Sequence, residues 1–149
     1  FIPKLIMKLK LFLNKKIPTI VGLDHISYRI NPIDRWFNFY FEAKERGLDP
    51  LWTINHGWIS GIYYKDPDGN LVEIFFEHFS SAEEFKSNIS PDFEDEPIGT
   101  NMDVEVLYEM YKAGSDFSEL ITKGNTVPEG KKPVSGFDAV VNMKKKFKD

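Results

Sequence analysis

The sequence contains no cysteine, and that single absence removes several kinds of chemistry. There can be no disulfide scaffold, no thiolate nucleophile, and no zinc or iron–sulfur centre held through sulfur. A metal would have to be bound by histidine, carboxylate or backbone oxygen. Histidine is scarce as well, with only His25, His56 and His78 among the 149 residues. No apolar run approaches the roughly 20 residues that a membrane-spanning helix needs. An excess of one charge is also lacking: 19 Lys and Arg against 23 Asp and Glu leave a net charge of -4. That balance argues against nucleic acid as a general partner. The expected setting is cytoplasmic.

What is present suits one domain with one core, since 42% of residues are hydrophobic and 15% aromatic. Charge is unevenly spread. Residues 1–20 hold five lysines and no acid, with Leu5, Leu9, Phe12 and Leu13 on one helical face. Two readings of that stretch stand: a basic amphipathic anchor or targeting segment, or the remnant of something upstream. The chain opens on Phe1 rather than Met, so the sequence is expected to be part of a longer polypeptide.

From Val21 the pattern sharpens. In residues 23–30, LDHISYRI, alternation places His25, Ser27 and Arg29 on one face and Ile26, Tyr28 and Ile30 on the other, which reads as a strand. Asn31-Pro32 ends it. A helix follows, with Asp34 as its cap, Phe37, Tyr40 and Phe41 at helical spacing, and Gly47 as its left-handed end. Leu51–Ile54 and 58–64 (WISGIYY) read as strands joined through Asn55-His56-Gly57. The run Lys65-Asp66-Pro67-Asp68-Gly69-Asn70 is a turn, and LVEIFFE at 71–77 is the last strand. The order is strand, helix, three strands, an α+β unit over residues 21–79.

A helical extension over 80–114 is expected next. Ser81 and Glu84 form a capping box for a helix near 81–89, and 90–102 is an irregular acidic loop. Asp103 then caps a helix whose apolar stripe is Val104, Leu107, Met110 and Tyr111, closed by Gly114. Residues 115–149 read as a polar, flexible tail, with one weak helix over Val140–Phe147.

In the last strand, Leu71, Glu73, Phe75 and Glu77 share a face opposite Val72, Ile74 and Phe76. Both faces are apolar near the centre, so the strand should be buried on both sides. Glu73 then sits where a lone carboxylate is costly to ionise, and a metal cation is one partner that favours its charged form. If the first and last strands are neighbours, His25 and Glu73 project onto one surface, a pair that suits iron(II), manganese or zinc. A satisfied core histidine, with Glu73 paired to Arg29, would look the same. One of Tyr63 and Tyr64 must point inward. His78, at the strand end, reads as a surface residue.

LDHISYRI, Gly47-Leu48-Asp49-Pro50, INHGW and above all YYKDPDGNLVEIFFE resemble the C-terminal module of the vicinal oxygen chelate superfamily (glyoxalase, bleomycin resistance and extradiol dioxygenase proteins). The nearest likeness is to extradiol ring-cleavage dioxygenases of the 2,3-dihydroxybiphenyl 1,2-dioxygenase type, and it covers about residues 21–114. DPDGNLVE is shared across the superfamily; its combination with DHISYRI, HG and YYK is more specific. The resemblance implies a βαβββ module, half of a paired-module domain, and an oxidoreductase of aromatic compound catabolism. It implies His25 and Glu73 as metal ligands, His56 as the histidine near bound catecholate and oxygen, and Tyr63 as the tyrosine that hydrogen-bonds a substrate hydroxyl. Iron(II) is the metal implied, with manganese, zinc or nickel as alternatives, and a small aromatic diol and O₂ as the partners.

The family builds its site from two facing modules, the other one supplying a further His. The 20 or so residues before Val21 are too few for a module and hold no His, so either an upstream module supplies the partner surface, or a second chain does so as a homodimer, or the site is inactive. Two other readings remain. One is a glyoxalase- or isomerase-like enzyme formed by dimerisation. The other is a non-catalytic protein holding a small ligand on its aromatic face.

Overall fold

In the computed structural model, the described residues are 23–88, 93, 96–127, 134–136 and 138. The basic segment 1–20 and the terminal helix expected over 140–147 lie outside them. The fold is α+β, a five-stranded mixed sheet with helices. In chain order the elements are β1 (Ile26–Arg29), α1 (Ile33–Glu45), β2 (Trp52–Asn55), β3 (Ile59–Lys65) and β4 (Leu71–Glu77), then α2 (Ala82–Asn88), β5 (Thr100–Asn101), α3 (Val104–Lys112) and α4 (Phe117–Leu120). Across the sheet the strands run β1-β4-β3-β2-β5. β1 pairs with β4 in parallel, and the other pairs are antiparallel.

α1 begins one residue before Asp34, because the Pro32 carbonyl accepts from the Arg35 and Trp36 N–H groups. Asp34 therefore lies inside the first turn rather than at the cap, contrary to the capping role expected of it. Its charge still opposes the positive end of the helix dipole there. Gly47 follows the helix with φ +78°, a conformation that costs glycine nothing. Asp103 does cap α3, accepting from the N–H groups of Glu105 and Val106.

The main core lies between one face of the sheet and the helices. Trp36, Phe37 and Tyr40 of α1 meet Ile62, Ile74 and Phe76, with Val104, Leu107 and Leu120 completing it. The Trp36 indole N–H donates to the Ile74 carbonyl at 3.0 Å, which satisfies the one polar atom of a fully buried ring. A smaller cluster of Ile54, Tyr63 and Leu71, flanked by Leu51, Trp52 and Ile98, occupies part of the opposite face. β4 is thus buried on both sides.

Three differences from the sequence reading stand out. The 90–102 stretch is not wholly irregular: Thr100–Asn101 forms β5, because the outer edge of β2 offers backbone groups that Asn55 and Ile54 pair with it. Packing also continues past Gly114, since α4 buries Leu120 and the following turn buries Thr126. Finally, His78 is not on the surface. It is 4% exposed, with Nε2 2.8 Å from the Ser60 hydroxyl, because β4 carries it under the same apolar layer as Phe76. Burial pushes its imidazole pKa down to about 3. Among the described residues no helix is long and apolar enough to cross a membrane.

Candidate functional site

The strand registers decide which side chains meet. Ser27 of β1 lies opposite Glu73 of β4, Glu73 opposite Tyr63 of β3, and Tyr63 opposite Trp52 of β2. Because side chains alternate along a strand, these four form one row on the face turned away from α1. His25 sits just ahead of β1, two residues before Ser27, and reaches the same face: its Nε2 is 3.5 Å from Glu73 Oε2. His56 arrives from the β2–β3 turn, with Nε2 3.7 Å from Glu73 Oε1. Of the four residues singled out from sequence, His25, His56 and Tyr63 therefore surround the carboxylate of the fourth, Glu73. Arg29 does not join them; it pairs with Glu77 at 2.9 Å.

The turn that carries His56 is held on several sides. Asn55 is buried, its amide donating to the Ile121 carbonyl and its oxygen accepting from the Gly57 N–H. The His56 N–H donates to the Ile59 carbonyl. From the other side Gly99, at φ +105°, lies so close that a Cβ there would fall 2.1 Å from the Asn55 carbonyl oxygen. That approach brings the Ile98 carbonyl within 2.5 Å of His56 Nδ1. A carbonyl only accepts, so Nδ1 carries the proton and, in the neutral ring, Nε2 presents its lone pair. The Tyr63 hydroxyl, 3.4 Å away, can donate to it.

His25 is oriented by the same logic. Its Nδ1 lies 2.8 Å from Asp24 Oδ2, which leaves Nε2 facing Glu73. A carboxylate behind the ring is the arrangement that fixes the tautomer of metal-binding histidines. The His25 side chain is 30% exposed and Glu73 only 4%, so the imidazole is reachable from solvent while the carboxylate is sheltered.

Glu73 is the centre of the electrostatics. Burial pushes its pKa up, but His56 in its protonated form, with the Ser27 and Tyr63 hydroxyls, outweighs that and holds the carboxyl below its ordinary value. It is therefore ionised at neutral pH. Ser27 Oγ donates to Oε2 at 2.6 Å, whereas Oε1 is buried with no hydrogen-bond partner. An unpartnered buried carboxylate oxygen is costly, and a cation supplied from outside would remove that cost. The donor set fits a divalent metal, with His25 Nε2 and the Glu73 carboxylate as its ligands. Among the described residues, however, no three His, Asp or Glu side chains are grouped to hold one. The Tyr63 phenol is raised, chiefly by burial and then by the Glu73 charge, so it keeps its proton and acts as a donor. Trp52 stacks on it at 5.0 Å between centroids, and together they wall one side of the site.

Sequence reading passed over two neighbours of Glu73. Ser27 was visible as a residue on the His25 face, but its partner depends on register. Gly61 was visible as a glycine inside an apolar strand, a signal of close approach.

No family model matches the chain, and no solved structure matches it. Two curated proteins of Rhodococcus globerulus are similar in sequence. Biphenyl-2,3-diol 1,2-dioxygenase 3 is 31% identical over 112 residues, which cover 74% of this chain and 59% of that protein. Biphenyl-2,3-diol 1,2-dioxygenase 2 is 28% identical over 106 residues, covering 70% of this chain and 56% of that protein. The chain thus spans less than two thirds of the length of either relative.

Proposed function

We propose that this chain is a module of the vicinal oxygen chelate type and contributes part of an extradiol ring-cleavage site, dependent on iron(II) and acting on a catechol-type aromatic diol with O₂. The observation that carries the reading is the gathering of His25, His56 and Tyr63 around the half-satisfied carboxylate of Glu73. Similarity to two proteins named as biphenyl-2,3-diol dioxygenases supports the same chemistry.

His25 and Glu73 would hold the metal, whose part when bound is to let a catechol and dioxygen react. A further ligand has to come from outside the described residues, and a facing module or a second copy of the chain is the source we favour. The protein's own residues then manage binding and protons. His56 Nε2 can take a proton from a substrate hydroxyl; its Nδ1–H, fixed on the Ile98 carbonyl, steadies the imidazolium that results. Tyr63 keeps its proton and donates to a substrate oxygen. The stacked Trp52 and Tyr63 rings offer an apolar wall to an aromatic ring.

The test is to load the protein with iron(II) without oxygen, verify the metal content, and add biphenyl-2,3-diol in air. Uptake of O₂ matched by a ring-opened product is expected. A verified iron-loaded protein that consumes no O₂ and leaves the diol intact overturns the reading.

A further inference from the structure

The two sides of the Glu73 carboxylate are built differently. On the β1 side Ser27, directly opposite in register, donates to Oε2 at 2.6 Å. On the β3 side stands Gly61, where a Cβ would lie 2.5 Å from Oε1, closer than real Cβ contacts come. Gly61 is in the middle of β3, and its φ is not among the positive values. Its backbone would accept any residue, and glycine within a strand costs about 0.5–1 kcal/mol. The requirement is for space, and what fills the space is Oε1.

We infer that Ser27 and Gly61 are positioning residues that set how Glu73 presents itself to a metal: Ser27 anchors Oε2, and the missing side chain of Gly61 leaves Oε1 free. This rests on the metal reading of Glu73 and deepens it. Both residues act through Glu73, since Gly61 has no side chain and the Ser27 hydroxyl is committed to Oε2. The arrangement explains two facts with one cause. Oε1 is buried and unpartnered, and a glycine stands in β3 where a methyl group would strike that oxygen.

The experiment is a titration of the full chain with Mn(II), reading free Mn(II) by electron paramagnetic resonance, alongside thermal melts of the metal-free proteins. Ser27→Ala is expected to weaken binding by about tenfold or more, in the range typical of residues that orient metal ligands. Ser27→Thr, which keeps the hydroxyl, should restore most of the affinity. Gly61→Ala should weaken binding at least as much, although alanine suits a strand better than glycine does. A merely structural role would move the metal-free melts instead and leave the Mn(II) affinity where it was. Should Gly61→Ala fail to fold, the Ser27→Ala and Ser27→Thr pair decides alone. Wild-type affinity in Ser27→Ala, with a wild-type protein that does bind Mn(II), overturns the inference and leaves the metal reading standing. A wild-type protein that binds no Mn(II) overturns both.

Discussion

The two faces of this sheet are cut from the same strands and serve opposite ends. Toward α1, Ile62, Ile74 and Phe76 meet Trp36 and Phe37, and the Trp36 indole nitrogen in that layer is satisfied by a backbone carbonyl. On the other face the same strands carry Glu73 and Tyr63, with His25, Ser27 and His56 brought up beside them. There a buried carboxylate oxygen goes unpartnered. One face is closed by the helices packed on it, with Tyr64 Oη and His78 Nδ1 as its buried unpartnered atoms, both on side chains that carry no charge at neutral pH. The other holds a charged carboxylate with one oxygen unpartnered, the kind of departure from the rules that stabilise a core that binding and catalytic sites make.

The contrast is most sharply tested on the packed face. Phe76→Ala should cost about 3–5 kcal/mol of stability by opening a cavity, measured by denaturant unfolding. The protein that remains folded should bind Mn(II) as before. If that substitution removed metal binding from folded protein, the two faces would not be independent.

Acid should also strike the packed face first. His78 has a folded pKa of about 3 against an ordinary value of 6.5, so below about pH 6.5 the unfolded chain binds a proton that the folded one refuses. Stability is therefore full above that value and falls as pH drops through the window towards 3. Between pH 6.5 and 5 the loss should reach about 2 kcal/mol. Glu73, whose carboxyl is held below its ordinary 4.5, adds a loss only at lower pH, as its stabilising charge is neutralised. Melts of His78→Gln across pH 5–7 should be flatter than those of the wild type. Equal slopes would contradict the burial argument.

A smaller effect is expected at the α3 cap. Asp103→Ala removes the acceptor for two helix N–H groups and should cost about 1 kcal/mol, with no change in metal affinity. Smallest of all in stability is Glu73→Gln. Removing a buried charge that is only partly compensated should shift unfolding by less than about 1 kcal/mol, yet abolish Mn(II) binding. A large loss of stability there would mean that Glu73 belongs to the fold rather than to a ligand.

Much of the packed face was legible in the sequence because it follows periodicity. The alternation in LDHISYRI and LVEIFFE, the helical spacing of Phe37, Tyr40 and Phe41, and the turn at Asp66–Asn70 each state their structure locally. β5 was not legible, since two residues become a strand only when β2 offers them an edge. His78 read as a surface histidine because the sequence names its neighbours along the strand but not the layer above it. On the open face, the residue types of His25 and Glu73 suggested a metal pair, the family resemblance pointed to His56 and Tyr63, and register brings the four together. Ser27 and Gly61 could be seen but not interpreted, because a hydrogen bond across strands and an empty volume exist only once the strands are paired.

The most direct test of the central claim, that the open face is a metal-dependent site centred on Glu73, is anomalous diffraction from crystals grown with iron(II) under exclusion of oxygen. The account predicts one iron peak at coordination distance, about 2.0–2.2 Å, from His25 Nε2 and from the Glu73 carboxylate, with His56 and Tyr63 beside it. Iron bound elsewhere, or a Glu73 carboxylate left empty in crystals that contain iron, would contradict it.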